Sequence, residues 1–283
     1  MRKFRGLMIL GALVIAGCNL STDLPTSQRL GFITMTQLGD GDSATLNMIG
    51  QFFQSSPSIQ PSVPNTNAVG DTCTVSDYAG PPDDPGPIKV DNLNAGASIA
   101  VTTDKAEASM VPAINAAGSV DYRLATGPVP FTPGSKVGIE IPGDSGGFPA
   151  HSLEVSTFTA PTFAPIERHP AEDLTLSWSP AGIATGAIQL QLLFSSDSNP
   201  SPDKILFCAL RDDGNYVVPK FLVAGEWAAS PAAAQSGSAI RWNTTLKQNQ
   251  NVLMDVIVQV AAKPLTFSTD QSTATDLRAN ASR

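Results

Sequence analysis

Proline and glycine set the tightest limit on what this chain can fold into. Each occurs 23 times in 283 residues, and both punctuate regular structure. Residues 57–64, 81–87 and 127–133 are dense in them, and proline lacks the N–H that a sheet interior needs. Between the breaks lie short runs in which apolar and polar residues alternate. Ala44-Thr45-Leu46-Asn47-Met48-Ile49-Gly50-Gln51-Phe52 is the clearest. Similar runs occupy 72–75, 98–102, 120–124, 136–141 and 153–158. A proline-rich stretch follows at 160–170, and the series restarts at 174–178, 187–194, 204–210, 216–218, 239–242 and 252–261. Short period-two runs separated by turn clusters predict an all-β chain. The Ala-rich segment 228–234 suggests a helical turn, which Pro231 keeps short.

The spacing predicts two sandwich-like domains. The first is an N-terminal β domain at 30–160. A linker at 161–171 follows, stiffened by Pro161, Pro165 and Pro170. The second, at 172–267, reads as an Ig-like β-sandwich. It packs several strands into about 100 residues, with Trp178 early and Cys208 central. The polar residues 268–283 read as a disordered tail.

At the N-terminus, Arg2, Lys3 and Arg5 precede an apolar run at 7–17. That run is shorter than the about 20 residues a bilayer span requires. Its length and cationic flank are those of a signal peptide. The run ends in Val14-Ile15-Ala16-Gly17-Cys18, which resembles the lipobox of bacterial lipoproteins. The resemblance implies removal of residues 1–17, a diacylglyceryl group on the Cys18 thiol and attachment to a membrane through that lipid. Asn19 in place of Asp implies, by the same resemblance, the outer membrane. Residues 18–29 read as the lipidated cysteine and a polar, flexible tether.

Leu174-Thr175-Leu176-Ser177-Trp178-Ser179-Pro180, with Cys208 and Asp213-Gly214-Asn215-Tyr216-Val217-Val218-Pro219, resembles a β-domain pattern of uncharacterised bacterial lipoproteins. That resemblance implies secreted β architecture and carries no activity.

Charge narrows the partners. The chain has 17 basic and 25 acidic side chains, net −8. Losing Arg2, Lys3 and Arg5 leaves 14 against 25, net −11. An acidic body argues against nucleic acid, whose phosphates need clustered cations. It also argues against an electrostatic hold on anionic lipid, so membrane contact is expected through the lipid on Cys18. An envelope protein or a glycan is the expected further partner. No cofactor is implied.

Besides Cys18, the chain has only Cys73 and Cys208. Outside the cytosol two thiols can pair, and a Cys73–Cys208 bond would be an interdomain staple. Two separately buried thiols are the alternative. Neither cysteine has the spacing of a metal or redox motif.

Gly143-Asp144-Ser145-Gly146-Gly147-Phe148-Pro149 resembles the nucleophile signature of trypsin-like serine proteases, with one residue inserted before the proline. The resemblance implies Ser145 as nucleophile and Gly143 as an oxyanion donor. That family needs a histidine earlier in the chain, but His151 and His169 both follow Ser145. The segment also satisfies the G-x-S-x-G pattern of α/β-hydrolases, with His169 in permitted order, yet no strand–elbow–helix context surrounds it. A glycine-rich turn between strands is the preferred reading, and a serine hydrolase at Ser145 is the remote alternative.

The acidic pairs Asp83-Asp84 and Asp212-Asp213, and Asp40-Gly41-Asp42, lack the ligand pattern of a calcium loop and read as solvated turns. His151 and His169 lack metal-ligand spacing, so no metal site is expected. Among the tryptophans, Trp178 and Trp242 fall at strand positions. Trp227 follows Gly225-Glu226 and is the candidate glycan contact. The expected function is a non-catalytic, lipid-anchored envelope protein, structural or interaction-mediating. A glycan-binding module is the alternative.

Overall fold

The computed structural model describes residues 28–55, 70–78, 91–115, 119–167, 172–182, 186–195, 202–229, 236–249 and 251–268. Cys18, Asp83, Asp84, His169, the expected signal peptide and nearly all of the expected tail lie outside them. The fold is all-β and sandwich-like. In chain order the strands are β1 (Gln28–Leu38), β2 (Thr45–Ser55), β3 (Thr72–Asp77), β4 (Asp91–Asn92), β5 (Ile99–Thr102), β6 (Glu107–Ile114), β7 (Val120–Leu124), β8 (Val129–Pro130), β9 (Lys136–Ile141) and β10 (His151–Ser156). The series continues with β11 (Ile166–Glu167), β12 (Leu174–Ser177), β13 (Ala187–Phe194), β14 (Lys204–Arg211) and β15 (Asn215–Val218). A helix, α1 (Lys220–Ala229), precedes β16 (Ser236–Asn249), β17 (Val252–Ala261) and β18 (Phe267–Ser268).

One 14-stranded sheet runs in the order β10-β9-β5-β6-β7-β2-β1-β17-β16-β13-β14-β3, with β4 and β8 added to β2. Small pairs β12–β15 and β11–β18 lie beside it. Within the large sheet every pairing is antiparallel except β1 with β17, which run parallel from Arg29↔Val252 to Gln37↔Val260.

Alternation along each strand builds two cores. In the first, Ile33 and Met35 of β1, Met48 and Phe52 of β2, and Met254, Val256 and Val258 of β17 pack with Ile139 of β9 and Val155 of β10. The strip therefore curls until its β10 end faces β1 and β17. Gln37 fastens that closure: its amide donates to the Phe158 carbonyl at 2.9 Å and accepts the Phe158 N–H at 3.2 Å. The second core joins Leu190 and Leu192 of β13, Leu206 and Leu210 of β14, Leu174, Leu176 and Trp178, and Val223 of α1.

The expected division at 161–171 does not divide the sheet. β17, from the expected second domain, supplies Met254, Val256, Val258 and Val260 to the first core. β3, from the expected first domain, pairs with β14 and packs Cys73 and Val75 on the second core. The reason is that β1 takes a neighbour from the far end of the chain, so two strands exchange sides. The expected tether is also shortened, because Gln28 and Arg29 already belong to β1.

Helix α1 was not expected as such. It begins after Pro219, and the Asp173 carboxylate accepts the Lys220 N–H at 2.7 Å, satisfying one of the free donors of its first turn.

Candidate functional site

A cleft of about 500 Å³ opens at one end of the first sandwich, lined by Arg29, Gln54, Pro149, Ala150, His151, Asn249, Asn251 and Val252. Its walls come from both layers. Arg29 and Gln54 are cross-strand partners on β1 and β2. Asn249 and Val252 face each other where β16 turns into β17, and the Arg29 N–H donates to the Asn251 carbonyl at 2.8 Å. Opposite them, residues 149–151 lead into β10.

The cleft exists because the inward-facing series changes character at its end. On β1 the inward positions run Met35, Ile33, Gly31, Arg29; on β2 they run Met48, Gly50, Phe52, Gln54; on β10 they run Val155, Leu153, His151. The last member of each is polar. The Phe148 ring forms the boundary with the core. It is fully buried, 4.7 Å from the Phe52 ring and 5.7 Å from the His151 imidazole. Gly31 lets it approach, since a Cβ there would lie 2.8 Å from Phe148 Cζ.

The lining groups have unspent hydrogen-bonding capacity. His151 Nδ1 is buried with no partner. Among the described residues no side-chain hydrogen bond or ion pair engages Arg29, Gln54, Asn249 or Asn251. Among the described residues of the lining, Arg29 is the only formally charged side chain. Sequence alone does not mark this set: Arg29 falls at the end of the stretch that reads as a tether, and no motif marks the asparagines. The available signal was strand parity carried one step past the last apolar residue.

Ser145 sits exposed in the turn between β9 and β10. The turn is pinned by backbone bonds: Gly143 N–H to the Ala95 carbonyl at 3.1 Å and Phe148 N–H to the Asn94 carbonyl at 2.8 Å. Gly143 has φ +76°, and a Cβ on it would collide with the Ala150 backbone; one on Gly147 would collide with the Asn94 carbonyl. Packing thus accounts for both glycines. No hydrogen bond joins Ser145 to His151. The loop against the turn is held by Tyr122, whose hydroxyl accepts the Ala95 N–H at 2.9 Å and lies 2.7 Å from Asn94 Oδ1. Burial pushes the Tyr122 phenol above its ordinary value.

Cys73 and Cys208 face each other in register on β3 and β14 and are disulfide-bonded, with Cα atoms 4.1 Å apart. The bond joins neighbouring strands of one sheet, which corrects the expectation of an interdomain staple. Trp227 lies in α1 and not in a loop; its side chain falls outside the described residues.

Asp212 is a second correction, being buried and paired where a solvated turn was expected. Its carboxylate lies 2.8 Å from Arg241 Nε with both side chains fully enclosed. It also accepts the Trp178 indole N–H at 2.9 Å and the Ala181 N–H at 3.1 Å. Arg241 donates further to the Thr159 carbonyl at 2.6 Å and to the Ser179 carbonyl. This cluster ties the segment after β10 to β16 and the second core, and leaves no open position for a ligand.

Asp255 differs. It points away from the first core between Met254 and Val256, is 1% exposed, and accepts from the Thr244 hydroxyl. Its Oδ2 has no partner. Burial raises its carboxyl above the ordinary 3.8. No group of three or more metal-ligating side chains occurs among the described residues.

No family model matches this chain, and no curated protein matches it. A solved structure of a DUF4785 family protein from Legionella pneumophila aligns at 8% identity and a TM-score of 0.21, over 65% of this chain and 43% of that one. The chain thus spans less than half of that protein, and a score so low carries no argument. No described helix is long and apolar enough to cross a membrane.

Proposed function

We propose that this chain is a lipid-anchored protein of the bacterial cell envelope that works by binding a polar partner in the sandwich-end cleft. The anchor rests on the sequence: a cationic start, a short apolar run and Val14-Ile15-Ala16-Gly17-Cys18. One acyl chain binds a bilayer marginally, whereas two or more hold firmly. Asn19 favours the outer membrane. The acidic body adds no electrostatic grip, so the lipid is the membrane contact.

The binding role is carried by one observation. Arg29, Gln54, Asn249 and Asn251 converge with His151 on a single concave surface, and among the described residues no side-chain hydrogen bond or ion pair engages the first four. Convergent polar groups in a pre-formed cleft suit a polar ligand.

The test is site-specific crosslinking in cells expressing the full chain, with a photoreactive residue at Asn251 and a control at Thr74 on β3. The expected result is a discrete adduct from Asn251 and none from Thr74, on protein that incorporates a palmitate analogue lost in Cys18→Ser. Equal adducts at both positions, or none at Asn251, would remove the binding role. Unchanged label in Cys18→Ser would remove the anchor.

A further inference from the structure

We propose that the cleft is a site for a saccharide bearing a carboxylate; this rests on the reading above that the cleft is the working surface. The starting point is Arg29. Of the arginines in the described residues, Arg123 pairs with Asp121, Arg211 with Asp71 and Arg241 with Asp212. Arg29 alone has no acidic partner among the described residues. In a chain with 25 acidic side chains against 17 basic, an unengaged guanidinium is the exception. Among the described residues no acid lines the cleft to compete for it.

A guanidinium offers a planar fork of N–H donors that matches a carboxylate with two parallel bonds. A guanidinium fork also fits phosphate or sulfate, but sites for those anions commonly add a backbone N–H nest or further cations, and the described lining supplies a single cation. The remaining groups suit hydroxyls. Gln54, Asn249 and Asn251 each carry a donor pair and an acceptor, and a sugar hydroxyl uses both. His151 also lines the cleft, with its Nδ1 enclosed in the wall. Among the described residues the apolar lining is Pro149, Ala150 and Val252, a small surface on which to seat the side chain of a peptide's C-terminal residue. The volume, about 500 Å³, lies within the usual range for small-ligand sites and accommodates a short run of sugar units.

The experiment is calorimetric titration of the full chain, purified in detergent, with trigalacturonate. The same sugar with its carboxylates methyl-esterified and a peptide with a free C-terminal carboxylate are titrated in parallel. Trigalacturonate is expected to bind, and its ester about tenfold more weakly or worse, since a charge-assisted pair is being removed. Arg29→Gln should weaken acid binding by about tenfold or more and ester binding by clearly less, since the ester offers only a neutral acceptor. Arg29→Lys should fall between, and Asn251→Ala should weaken both sugars. All three substitutions lie at the rim, and unchanged melting temperatures would confirm that folding is intact. Equal affinity for acid and ester, insensitivity to Arg29→Gln, preference for the peptide, or no binding would each overturn the assignment. If trigalacturonate fails while the Asn251 crosslink persists, the ligand class falls and the binding role stands; if both fail, both fall.

Discussion

Two buried carboxylates in this protein meet opposite fates. Asp212 is enclosed with Arg241 and accepts from the Trp178 indole and a backbone amide, so its charge is compensated from several directions. Asp255 is equally enclosed but has only the Thr244 hydroxyl. Desolvation therefore holds its carboxyl above 3.8. The folded state binds this proton more tightly than the unfolded chain does. Stability consequently falls as pH rises from 3.8 through the raised value, and the loss persists above it. Asp255→Asn removes the ionisation while keeping the shape. Thermal melts should show the variant more stable than the parent near neutral pH, with the gap closing as pH drops below 3.8. A variant no more stable than the parent at neutral pH would show that the carboxylate is compensated.

At the scale of elements, β3 is the one most dependent on a single bond. It is a six-residue edge strand, and it reaches β14 across 135 residues of chain. Closing a loop of that length removes unfolded-state entropy worth about 5 kcal/mol in the chain-entropy model, with measured losses of about 2–5 kcal/mol. Two exposed ion pairs, Lys204–Asp77 and Arg211–Asp71, add little beside that. The double substitution Cys73→Ser, Cys208→Ser should lower the urea midpoint and speed hydrogen exchange at residues 72–77 before the rest of the sheet. Uniform exchange across the sheet would show that β3 docks without the bond. Most strands were legible because their alternation is clean, as in Thr45–Ser55. β1 was not. Its core-facing series includes Gly31 and Gln37, and its other face carries Leu30 and Phe32, so neither face reads as apolar. β6 hid behind Pro112, which sits inside an interior strand. Helix α1 was obscured because its first turn is satisfied by Asp173, 47 residues away. The cleft was missed for a related reason: its polar residues act through which strand ends come together, and local sequence does not encode that.

At the scale of the whole molecule, the exchange of β3 and β17 decides what counts as a folding unit. Sequence spacing suggested a cut at 161–171, and composition gives no warning against it. Yet the first core lacks one of its walls without Met254, Val256, Val258 and Val260. A fragment ending at residue 167 should express as an aggregating or unfolded chain by circular dichroism and size exclusion. Co-expression with residues 172–268 should restore a soluble, sheet-rich complex. A fragment that folds cooperatively alone would show that β1 can do without its parallel neighbour.

That parallel pair also sets the order of events as the polypeptide is made. The first described strand, β1, must wait for β17, next to last of those described, to emerge before both of its flanks are covered. Contacts so far apart along the backbone form slowly. The nascent chain thus stays unlocked while most of it leaves the ribosome, a property that suits any polypeptide that must be threaded through a pore before it is allowed to collapse.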